Sequence, residues 1–149
     1  MKIKSIIFAI FLIAVSSSII WFYKGRREEV ERMANHDCIF CKIISGLIPC
    51  KKIHETADLI VIQDIAPKAP IHYLIIPKQH VPNIQSCTEQ DQKMLGTLLF
   101  TAKQLSASLP GNPEFKLVSN NGASVGQSVF HIHIHFLAGN SKFAEQMAV

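Results

Sequence analysis

Three histidines recur at every second position towards the C-terminal end: His131, His133 and His135, with Ile132, Ile134 and Phe136 following each in turn. In a β-strand, residues i, i+2 and i+4 share a face, so this alternation puts imidazoles on one surface and apolar side chains in a core. Two uses compete, metal ligation and nucleophilic catalysis. At a rise of roughly 3.3 Å per residue, the outer two histidines of such a strand stand about 13 Å apart, awkward for one ion held by all three. Neighbouring pairs could still chelate. An imidazole is also a competent nucleophile toward phosphorus or acyl carbon, and much of it is neutral near pH 7.

Upstream, Asn120, Asn121, Gly122, Ala123, Ser124, Val125, Gly126, Gln127 and Ser128 form a polar loop punctuated by glycine. Loops of this kind bring backbone N–H groups and small side chains close to an anion, and a phosphate suits it. The stretch Gly122 to Gly126 also matches the G-x-S-x-G pattern of serine hydrolases. That motif needs a strand, a turn and then a helix, with an acid between the serine and the final histidine. Here a strand follows and no Asp lies beyond Ser124.

The run from Gly126 to Leu137 resembles the signature of the histidine-triad (HIT) family. The similarity extends back through Asp64 to Pro67, His72 to His80 and Cys38 to Ile44, and so covers Asp37 to Gly139. Gln127, Ser128 and the third histidine are closer to the Hint branch of nucleoside phosphoramidate hydrolases than to the Fhit dinucleotide hydrolases. The resemblance implies that His133 attacks the α-phosphorus of a purine nucleotide and that His135 contacts the phosphate and assists departure of the amine. It implies that Ser128, Asn120 and the backbone at Gly126 and Gln127 hold phosphate oxygens. Asp64 would take the ribose hydroxyls, Ile39, Phe40, Ile43 and Ile65 would sandwich the base, and His72 would buttress the nucleophile. Members of the Hint branch are homodimers. The chain departs from that branch at Ala138, where a second glycine is usual, and in a tail without tryptophan.

Cys38 and Cys41 form a C-x-x-C pair which, with His80 and His131, makes a Cys2His2 set suited to tetrahedral zinc, as in some bacterial HIT proteins. A redox pair and inert buried thiols are the alternatives. Cys50 and Cys87 have no companion spacing.

The elements that must position these groups follow from the pattern. Ile39 to Ser45 reads as a short helix; Lys51–Glu55, Leu59–Gln63, His72–Ile76, Phe115–Asn120 and Val129–Leu137 read as strands. Thr88 can cap a long helix whose apolar face holds Met94, Leu95, Leu98, Leu99, Ala102 and Leu105. The expectation is an α+β domain over residues 33–149, a five-stranded antiparallel sheet with one long and one short helix.

Residues 1–32 read as a separate segment. No charge interrupts Ser5 to Tyr23, which as a helix would span about 28 Å, close to a hydrocarbon core of roughly 30 Å. Lys24, Arg26 and Arg27 follow. The pattern favours an uncleaved single-pass anchor over a signal peptide, with the domain on the cytoplasmic side. The net charge is +4, but six of the fifteen Lys/Arg and three of the eleven Asp/Glu fall in residues 1–32, so the remainder is close to neutral. No electrostatic footprint for nucleic acid is present.

Overall fold

A computed structural model of the protein describes residues 37–111 and 113–139. Within them the chain forms α1 (Ile39–Ile44), β1 (Lys52–Glu55), β2 (Leu59–Gln63), β3 (Ile71–Pro77), α2 (Gln92–Ala107), β4 (Phe115–Val118) and β5 (Ile134–Ala138). The strands make one antiparallel sheet in the order β1-β2-β3-β5-β4. The expected α+β architecture is therefore present. The proposed anchor at residues 5–23 lies outside the described residues. Among the described residues, no helix is long and apolar enough to cross a membrane.

Alternation along the strands gives the sheet two apolar faces. Leu59 and Val61 of β2, Ile75 of β3, and Ile134, Phe136 and Ala138 of β5 pack against Leu98, Ala102 and Leu105 of α2. The other face carries Ile60, Ile62, Leu74 and Ile76 beneath Phe40 and Ile43 of α1. Burying a Leu, Ile or Phe contributes about 1.5–3 kcal/mol each, so these two clusters hold the layers together. The catalytic-type side chains stand on the second face, where α1 is too short to cover the sheet.

The helix predicted from Thr88 begins later. Glu89–Asp91 forms a 3-10 turn, with Thr88 and Asp91 in a reciprocal capping box, and α2 proper starts at Gln92. The apolar face of α2 is also narrower than expected, because Leu99 is exposed together with Phe100. The largest departure is at the last strand. Only Ile134–Ala138 joins the ladder, not Val129–Leu137. The cause is local: the His131 N–H closes a tight turn onto the Val129 carbonyl, and the Ile132 N–H bonds to Val81 outside the sheet. The His131 ring is thereby drawn under α1, away from the strand line.

Candidate active site and metal centre

The three histidines keep a common face although only His135 lies in a strand. The His133 and His135 rings are 5.1 Å apart, and Phe40 packs edge-on against both His131 and His133. His131 belongs to a different constellation from the other two. One atom from each of Cys38, Cys41, His80 and His131 lies within 4.8 Å of all the others. The Nδ1 of His131 is 3.4 Å from Cys38 Sγ, 3.5 Å from Cys41 Sγ and 3.2 Å from His80 Nδ1, and Cys41 Sγ is 3.3 Å from His80 Nδ1. A tetrahedron with metal–sulfur bonds of about 2.3 Å and metal–nitrogen bonds of about 2.0–2.1 Å has edges of about 3.3–3.8 Å. The four donors fit such an ion.

Second-sphere geometry agrees with this fit. His131 Nε2–H donates to the Pro77 carbonyl at 2.8 Å, which leaves Nδ1 as the lone-pair atom aimed into the cluster. Burial, then hydrogen bonding and charge from Cys38, push the Cys41 thiol up to about 12. Burial likewise holds His131 down at about 4, against the pull of the Pro77 carbonyl. Cys41 therefore stays a thiol and His131 a neutral imidazole near pH 7 on protons alone, and a cation is what would draw out the Cys41 thiolate.

His133 is buried, and its Nδ1–H donates to the His131 carbonyl at 2.7 Å. That bond fixes the tautomer: Nε2 carries the lone pair. The same residue, His131, thus orients the central imidazole through its backbone while its ring faces the thiols. Ser119 Oγ donates to the His133 carbonyl and holds the segment from the β4 side.

His72 does not buttress His133 as expected. Register sets Leu74 of β3 opposite His135 of β5, and the His72 ring reaches His135, with Nε2 2.9 Å from its Nδ1. The Lys68 N–H donates to His72 Nδ1 at 3.1 Å, so His72 bears its proton on Nε2 and donates it toward His135. Asp64 stands beside both, its Oδ2 3.3 Å from His72 and 3.7 Å from His135, while Oδ1 accepts from the Ala66 N–H. Burial lowers His72 from its ordinary range. Burial, then the charges of His133 and His72, hold His135 down at about 4, with Asp64 opposing them.

The Gly-rich loop is built differently from its expected use. Gly122 and Gly126 take positive φ angles of 116° and 90°, which side-chain-bearing residues rarely adopt, and bracket a 3-10 turn over Ala123–Val125. The backbone N–H groups of Gly126 and Gln127 are spent inside that turn, on the Ala123 and Gly122 carbonyls. They are therefore not phosphate donors in this conformation. Gln127 is buried and acts as a latch: its amide accepts from the Gly122 N–H and donates to the carbonyls of Pro82 and Val129. Ser128 is left exposed at the loop's end, and Asn120 donates weakly to the Gly126 carbonyl at 3.5 Å. Of the residues expected around a base, Ile65 is 99% exposed and Ile39 is partly open, whereas Phe40 and Ile43 are core. Phe40 supports the histidines from below rather than offering a free face.

Sequence reasoning missed the Pro77 and His131 carbonyls and the Lys68 N–H, since backbone groups leave no residue-type signal. It also missed the latch role of Gln127, whose reach to the Pro82 carbonyl crosses to a segment distant in sequence.

Fold and site together define the class. Residues 37–148 match the family model described as scavenger mRNA decapping enzyme C-term binding. An uncharacterized HIT-like protein of Synechocystis sp. is 45% identical over 103 residues, which cover 69% of this chain and 90% of that protein. The chain belongs to the histidine-triad family. Among solved structures, a HIT family hydrolase from Legionella pneumophila is 40% identical with a TM-score of 0.67, covering 70% of this chain and 94% of its own. A HIT family hydrolase from Clostridium thermocellum is 37% identical, also with a TM-score of 0.67, covering 70% of this chain and 92% of its own.

Proposed function

We propose that the protein hydrolyses purine nucleoside 5′-phosphoramidates, or related nucleotidyl-amines, through a nucleotide carried covalently on His133. The observation that carries this reading is the bond from His133 Nδ1–H to the His131 carbonyl, which presents Nε2 as the attacking lone pair. Attack on the α-phosphorus forms the N–P bond and breaks the bond to the amine, which leaves with a proton. Water then cleaves the adduct to the nucleoside monophosphate and restores His133. In this reading His135 and His72 act on the leaving-group side, Ser128 and Asn120 face the phosphate, and Ile39 and Ile65 flank the base. Asp64 accepts from the ribose hydroxyls with lone pairs that His72 and Ala66 leave open.

Zinc is the ion proposed for Cys38, Cys41, His80 and His131. Its contribution would be structural, tying α1 to the segment before β5, because all four positions of a tetrahedron are filled by protein donors. We extend the reading to a homodimer joined through α2, whose Leu99 and Phe100 are exposed.

The decisive test is a His133→Ala substitution. Turnover of an adenosine phosphoramidate should fall by at least about 10³-fold while adenosine monophosphate still binds, measured by steady-state kinetics and calorimetry. A rapid-quench experiment on the unsubstituted protein should trap phosphorus label on His133. Preferential cleavage of diadenosine polyphosphates would instead identify a dinucleoside polyphosphate hydrolase of the same fold. Nucleotide binding with no adduct and no turnover would leave a zinc-stabilised nucleotide-binding protein.

A further inference from the structure

The Asp64, His72 and His135 donors lie within 4.8 Å of one another, a spacing that would also suit a metal ion. The Lys68 N–H argues otherwise. By occupying His72 Nδ1 it keeps a proton on Nε2, the atom an ion would need. What the three groups can hold is a proton.

We propose that Asp64 is the counter-ion of a transiently protonated His135, so that Asp64, His72 and His135 form one proton-delivering unit on the leaving-group side. This rests on the hydrolase reading above. In the arrangement observed, His72 Nε2–H donates to His135 Nδ1, which leaves the remaining proton of neutral His135 on Nε2. A neutral imidazole that gave up that proton would become an imidazolate, which is too costly near neutral pH. His135 must therefore gain a second proton before it can act as an acid. When it does, its Nδ1–H can no longer face the Nε2–H of His72.

Asp64 Oδ2 is the acceptor already within reach of both rings, at 3.3 and 3.7 Å. A small turn lets it take His72 Nε2–H and His135 Nδ1–H together, as one carboxylate oxygen can. The protons then balance. His135 gives Nε2–H to the departing nitrogen as the P–N bond breaks, and keeps Nδ1–H on Asp64. Its free Nε2 next takes a proton from the water that attacks the nucleotidyl-His133 phosphorus, which restores the charged state. The charged or titratable groups facing His135 are Asp64 and His72 on the β3 side and His133 on its own segment, with Lys68 acting through His72. Asp64 alone among them favours the imidazolium. The anionic phosphate of a bound substrate would add to that preference.

Asp64→Asn separates this task from ribose binding, because the amide still accepts from a hydroxyl and from the Ala66 N–H but carries no charge. In the full-length protein, kcat for an adenosine phosphoramidate of an alkylamine should fall about 100-fold. In single turnovers, which report the first step alone, the loss should be at least about tenfold smaller for adenosine 5′-(4-nitrophenyl phosphate), whose leaving group departs without a proton. By nitrogen-15 NMR of the imidazoles, His135 should titrate at lower pH in the variant than in the unsubstituted protein. An equal loss on both substrates, confined to KM, would mean that Asp64 serves the ribose alone and would overturn the proposal. An unchanged His135 titration would overturn it without reference to turnover. If the unsubstituted protein cleaves neither substrate, the hydrolase reading falls, while the titration still decides the role of Asp64.

Discussion

His135 and His72 show how much a single residue's surroundings decide. Both are imidazoles held neutral by burial, and the tautomer of each is dictated by one backbone donor at Lys68. Their titration has a consequence for stability. A histidine whose folded value lies below its unfolded value binds fewer protons folded than unfolded, so it contributes stability above the unfolded value that is lost as pH falls. For His135 the window runs from the ordinary value of 6.5 down to about 4. Thermal melts should therefore show the melting temperature falling as pH drops from 6.5 toward 4. His135→Asn should flatten that slope, and a slope unchanged by the substitution would refute the assignment. The grouping of the candidate residues was legible in the sequence, because three alternating histidines and a C-x-x-C pair are rare by chance. Their partners were not. His72 reaches His135 only because β3 and β5 pair in one register, which places Leu74 opposite His135, and residue types do not specify that register.

Among the elements, the loop from Gly122 to Ser128 and the short strand β5 present most of the candidate site residues. The alternation over His131 to Phe136 identified both faces of this segment, since Ile134 and Phe136 do enter the core beneath α2. It misplaced where the strand begins, because periodicity reports which face a side chain takes and not whether its backbone finds a ladder partner. The helix start failed for a related reason: Thr88 is a genuine cap, but of a 3-10 turn that feeds α2. The loop makes a prediction of its own. Gln127→Ala removes three hydrogen bonds and leaves the Gly122 N–H and the Pro82 carbonyl without their side-chain partner. The expected cost is about 1–3 kcal/mol of unfolding free energy in a denaturant titration, with weakened nucleotide binding. Retained stability with weakened binding would instead mean that Gln127 contacts the ligand directly.

For the whole molecule, the sheet partitions labour between its two faces: α2 buries one, and the other is left to α1, the thiols and the histidines. The hydrophobic segment ahead of the domain adds a question of place. We propose that residues 5–23 tether the domain to a membrane. The full-length protein should then sediment with membranes after alkaline carbonate washing, whereas a chain starting at residue 33 should stay in the supernatant. Recovery of both in the supernatant would refute the tether. His131 joins the two halves of the chemistry more tightly than distance alone suggests, because one residue gives its ring to the sulfur-rich cluster and its carbonyl to the neighbouring imidazole. A chelator or an oxidant that dislodged that ring would release the carbonyl with it and free His133 to flip its tautomer. In the proposed mechanism, such an agent would silence His133 from behind, leaving the substrate's path to it open.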